Sequence, residues 1–169
     1  RRVFKYLVFM MLFVPLAAAP GFAEDSEVSR QTLKGIAGVR IIVEDLQPNL
    51  QKYEKYTKNV ELNKAQLQRD VEKRLRDGGI AVLSLEAWQK TPGCPVLYVN
   101  INTHENEKYW FAYNVKVSLQ QLVLLEARPD LKTLANTWSI NSTGIVNIGN
   151  LNLIRNDAGA LVGKFVEAW

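Results

Sequence analysis

The chain has 169 residues, 47% of them apolar and 22% charged. That composition excludes wholesale disorder, and the length suits one domain, or two only if both are small. Lys and Arg number 21 against 17 Asp and Glu, but three of the cations are Arg1, Arg2 and Lys5; the rest of the chain is within one charge of neutral, which argues against gripping nucleic acid by charge alone.

Residues 1–23 read as a secretory signal peptide. Arg1, Arg2 and Lys5 form a positive start, residues 6–19 are charge-free and mostly apolar, and Gly21-Phe22-Ala23 puts small residues where a signal peptidase reads. The apolar run is shorter than the ~20 residues that span a bilayer, so cleavage after Ala23 is expected in preference to anchoring. No later stretch is apolar enough to cross a membrane. The mature chain is therefore expected to be exported, to a periplasm or beyond, with no membrane span left after cleavage. Cys94 is the only cysteine, so stability must come from packing and not from an internal disulfide.

Residues 24–34 are polar, lack a clear period, and read as a flexible lead-in to one domain over residues 35–169. A strand is expected over 39–46, with Val39, Ile41 and Val43 on one side and Arg40, Ile42 and Glu44 on the other. Residues 47–61, with Tyr53 and Tyr56, read as a surface excursion. A helix follows. Asn63 is a good N-cap with Gln66 three residues on, Leu62 and Leu67 occupy the staple positions, and Leu67, Val71 and Leu75 line one face before Gly78-Gly79 stops it. Residues 80–83 read as a short strand, parallel to the first through a right-handed crossover. Ser84 is placed to cap a single helical turn.

The middle of the chain alternates with period two. A strand is expected over 96–103, then a polar connection at 104–108. In the next strand Tyr109, Phe111, Tyr113, Val115, Val117 and Leu119 share one face, and Trp110, Asn114, Lys116 and Ser118 the other. The phase shifts at Gln120-Gln121, where a bulge would return Leu122 and Leu124 inward. Arg128-Pro129-Asp130 reads as a turn, 133–140 as the last strand, and the Asn-rich stretch 141–149 as a loop. Leu151, Ile154, Ala158, Leu161, Phe165 and Trp169 then mark an amphipathic helix. The expected fold is α+β: one mixed five-stranded sheet, β-α-β followed by an antiparallel meander, with two helices packed on one face.

Chemical signatures are sparse. One histidine, His104, and one cysteine exclude a multi-histidine metal site within one chain and a structural zinc site, and the glycine spacing matches no phosphate loop, so neither metal nor cofactor is expected. Asn141-Ser142-Thr143 is a glycosylation sequon, relevant only on a eukaryotic secretory route. The feature of most interest is the sheet face turned away from the helices. Tyr98, Asn100, Asn102, Trp110, Asn114 and Lys116 project there, a mix of aromatic and amide groups suited to protein or glycan recognition unless the excursion at 47–61 folds over it.

The run Asp70-Val71-Glu72-Lys73-Arg74-Leu75 through Gly78-Gly79-Ile80-Ala81-Val82-Leu83-Ser84, followed by Pro95-Val96-Leu97-Tyr98-Val99-Asn100, resembles a family of small uncharacterised exported bacterial proteins. The element order is similar to TolB amino-terminal-like periplasmic assembly domains, a likeness of topology that carries over no functional residue. The expected function is a non-catalytic binding or envelope-assembly module, meeting another envelope protein or a second copy of itself through the sheet face or edge. The competing reading is a small periplasmic hydrolase using Ser139 or Ser142, His104 and a carboxylate such as Asp130.

Overall fold

The computed structural model describes residues 25–169; the expected signal peptide at 1–23 lies outside them. The first element of the described residues is α1, Glu27–Gln31, so part of the segment read as a lead-in is a short helix, held by a reciprocal capping box between Ser26 and Ser29. Strand β1, Arg40–Val43, is shorter than the sequence suggests. The excursion folds as two small helices, α2 (Pro48–Gln51) and α3 (Glu54–Asn59).

Helix α4, Lys64–Asp77, starts where its cap predicts, with the Asn63 side chain accepting from the Gln66 N–H at 2.9 Å. Leu62 and Leu67 are both buried, as staple residues should be. Ser84 caps α5, Leu85–Lys90. Three long strands follow, β2 (Val96–Glu107), β3 (Trp110–Leu125) and β4 (Arg128–Asn147), then a 3-10 turn, Ile148–Asn150, and α6, Asn152–Ala168.

The sheet has four strands in the order β1-β2-β3-β4, not five. Residues 80–83 are not a strand. They contribute a single parallel bridge, Val39↔Val82, with the Val39 N–H on the Ala81 carbonyl and the Leu83 N–H on the Val39 carbonyl. Two neighbours consume the rest of this segment: the Ile80 N–H closes α4 on the Leu75 carbonyl, and Ser84 already caps α5. The parallel partner of β1 is therefore β2, registered Ile41↔Leu97 and Ile42↔Tyr98, while β2–β3 and β3–β4 are antiparallel.

Both long helices cover one face. Val71 and Leu75 of α4 and Ile154, Val162 and Phe165 of α6 join Ile41, Leu97, Phe111, Val115, Val117 and Leu119 in one buried cluster. The excursion closes the far end of this same face: Leu50 is fully buried, and the Tyr53 ring meets the Phe111 ring edge-on at 5.7 Å. It does not cover the opposite face.

Further strand expectations change. Residues 104–107, read as a connection, extend β2, and Arg128-Pro129-Asp130, read as a turn, begin β4. Tyr109 is a turn residue at φ +71°, so the inward row begins at Phe111. Residues 141–147 are not a loop but the second half of β4; their register against β3, Asn141↔Lys116 to Asn147↔Trp110, supplies the backbone partners that polar composition alone does not reveal. The bulge lies beside Gln120 as expected but in β4, because Leu119 faces Trp138 while Gln120 faces Asn136, leaving Thr137 as the additional residue. The alternation of β3 therefore continues unbroken, and Leu122 and Leu124 stay on the face opposite the core, 42% and 58% exposed.

Candidate functional site

Strand register orders the uncovered face into rows across the sheet. Ile42, Tyr98, Ser118 and Ser139 form one; Asn100, Lys116 and Asn141 the next; then Asn102, Asn114 and Thr143; then His104, Ala112 and Ile145; and last Trp110 with Asn147. Rows follow at roughly 6.7 Å, two residues of strand rise. Tyr98, Asn100, Asn102, Trp110, Asn114 and Lys116 thus do share one face, but they do not converge on one point.

The first row is partly closed. Arg40 lies over the Trp88 ring of α5 at 5.9 Å from its centroid, Val96 and Ser118 nearby are buried, and Tyr98 is half-buried. The middle rows are a hydrogen-bonded amide surface. Asn102 Nδ2 donates to Asn100 Oδ1, Gln47 Nε2 donates to Asn102 Oδ1 at 2.8 Å, and Asn100 Nδ2 donates to Glu44. On the other side Asn114 Nδ2 donates to Thr143 Oγ1 at 3.0 Å and to the Ser142 carbonyl at 3.3 Å. These bonds hold the amides in fixed orientations and use part of their capacity, so the surface is ordered before any partner arrives. Lys116 stands among them with no ion-pair partner among the described residues.

The far rows are apolar and wet. Trp110 is 46% and Ile145 74% exposed. With His104, Asn106, Glu107 and Ala112 they line a shallow cavity of about 220 Å³. Ile145 was legible only as part of a loop, because its place on the face depends on pairing with Ala112. His104, a member of the hydrolase reading, pairs across the strands with Ala112 and lies beside Trp110 on the uncovered face.

The residues of the hydrolase reading are dispersed. Ser142 Oγ donates to Asp157 Oδ2 at 3.2 Å, and the Tyr113 hydroxyl donates to the same oxygen at 2.7 Å, on the helix side of the sheet. Burial, and secondarily the Asp157 carboxylate, pushes the Tyr113 phenol up to about 12, which keeps it a neutral donor. His104 is on the opposite face. Ser139 shares that face but lies three rows away, roughly 20 Å. Asp130 is at the start of β4, beyond the bulge, ion-paired to Arg128.

A larger hollow of about 770 Å³ lies between α4 and α6. Its groups are largely occupied by structure: Arg155 makes two bonds to Asp70, at 2.7 and 3.1 Å, and a third to Glu61, tying the helices together. Among the described residues no cluster of His, Cys, Asp or Glu is placed to hold a metal ion, and no helix is long and apolar enough to cross a membrane. Comparison with protein-family models, curated proteins and solved structures finds no match, and the functional reading rests on the geometry of the uncovered face.

Proposed function

We propose that this protein is an exported, non-catalytic binding module, acting in envelope assembly, that docks a protein partner on its uncovered sheet face. The observation that carries the reading is the pairing of exposed Trp110 and Ile145 at the rim of a preorganised amide surface, with no element laid over them among the described residues. A large, rigid aromatic next to ordered hydrogen-bonding groups is the usual make-up of an interface anchor. A protein partner fits better than a nucleic acid because the mature chain is nearly neutral and Lys116 is the one unpaired cation in the middle rows. The signal-like leader and the resemblance to exported bacterial proteins support a periplasmic or secreted setting.

The test compares the wild-type chain with Trp110→Ala and Asn114→Ala for capture of proteins from the envelope fraction of the source cells. Both variants should melt like the wild type and lose at least one partner that the wild type retains. Unchanged capture by both would sink the reading. The hydrolase alternative has its own test: ester and peptide substrates screened with His104→Ala, where any activity abolished by that change would revive it.

A further inference from the structure

We infer that the 141–147 edge of β4 is a self-association surface, on which a second copy of this chain adds its own β4 antiparallel to extend the sheet. The inference concerns backbone groups at the sheet edge and does not rest on the uncovered face binding anything.

The phase of the ladder identifies the free groups. The Ile148 N–H donates to the Tyr109 carbonyl at 2.8 Å. These residues continue the register of Trp110↔Asn147, so they form a hydrogen-bonded pair, and such pairs recur every second residue: Phe111↔Val146, Tyr113↔Gly144, Val115↔Ser142. Even positions of β4 therefore spend their N–H and C=O groups on β3. Asn141, Thr143, Ile145 and Asn147 direct theirs outward, where no described strand meets them.

The rest of the sheet boundary is defended. The opposite edge, β1, is only four residues long, begins with Arg40, is followed by Glu44 and Asp45, and is preceded by the Val39↔Val82 bridge. Within β4 the first residues carry Arg128, Pro129, Asp130 and Lys132 and a register break, all of which discourage pairing. At the Thr137 bulge, the Thr32 hydroxyl following α1 donates to the outward carbonyl. From residue 139 to 147 there is no charge, proline or bulge. An edge left open among the described residues, in a sheet whose other edge stretches are short, charged or interrupted, is a pairing site.

A second copy is the occupant because the segment is complementary to itself. With the two-fold at Thr143, outward positions face outward positions: Thr143 meets the second copy's Thr143, and Asn141 meets its Ile145. Between them Ser142 falls opposite Gly144, and on the helix side Ile140 falls opposite Val146, apolar against apolar. No register of this stretch sets like charges together. The same rotation puts both uncovered faces on one side of a continuous sheet.

The experiment is light scattering of the full chain across a concentration series, with three variants. Thr143→Pro removes one outward N–H without taking a bond from β3; Ile145→Lys sets a cation on the seam opposite the second copy's Asn141, where an edge lysine disfavours strand pairing; Thr143→Val keeps the backbone and loses only the hydroxyl. The wild type and Thr143→Val should double in mass as concentration rises, and Thr143→Pro and Ile145→Lys should remain single chains with unchanged melting curves. If Thr143→Pro fails to fold, Ile145→Lys alone decides. A wild-type chain that stays single at every concentration overturns the inference, as does a dimer that both disrupting variants preserve. Loss of a partner by Trp110→Ala with the dimer intact would separate the two surfaces.

Discussion

The two faces of the sheet use the same strands to opposite ends. On one, Phe111, Val115, Val117 and Leu119 are fully buried beneath α4 and α6. On the other, one residue away along the same strand, Trp110 is 46% exposed and the amides are bonded to one another and to neighbouring polar groups. Period-two alternation makes such a division possible, and it also means that residues of the two faces can be altered independently.

Substitution on the helix-covered face should produce the largest effect. Phe111→Ala removes a buried ring in contact with Tyr53, and a loss of about 3–5 kcal/mol is expected in denaturant unfolding. Gly144→Ala comes next. A Cβ there would fall 2.6 Å from the Tyr113 ring, so the ring or strand must shift, at a cost of roughly 1–3 kcal/mol. Trp110→Ala, on the uncovered face, should change stability by about 0.5 kcal/mol or less. A Trp110→Ala loss comparable to that of Phe111→Ala would mean that the faces are not separate in function.

Acid sharpens the comparison further. The Lys52 ammonium and then the Tyr53 hydroxyl, at 2.6 Å, hold the Glu105 carboxyl down to about 2, where the excursion closes over the covered face. A depressed carboxyl stabilises the fold above its unfolded value of about 4.5, and that contribution is lost as pH falls toward 2. Glu105→Gln should therefore melt below the wild type at pH 7, with the gap shrinking between pH 4.5 and 2 in thermal scans. A gap independent of pH would show that the carboxylate's charge does not contribute.

Much of the covered face was legible because its information is local. The odd positions of 111–119 announce their burial by alternation, and Asn63, Leu62 and Leu67 mark the start of α4 within six residues. What misled was information held in a distant strand. Ile80 and Val82 look like strand residues, but only Val39 is available to bridge them. Asn141, Ser142 and Thr143 look like loop residues, but Lys116, Val115 and Asn114 lie opposite and pair with them. The uncovered face was readable in residue identity and not in shape: its amide rows could be named from one strand at a time, whereas Ile145, its most exposed apolar member, entered only with the β3–β4 register.

The break at Thr137 also divides β3 in time. Up to Gln120 the strand is flanked by β2 and β4, with helices above. Beyond it β2 has ended, and Leu122, Leu124 and Leu134 sit in water on a two-stranded tongue. Backbone amides from Phe111 to Leu119 should exchange with deuterium only through global opening, while those from Val123 to Leu125 exchange by local fraying. A single continuous strand would then carry protection lifetimes from both extremes of the molecule, with the border falling at one inserted residue on its neighbour.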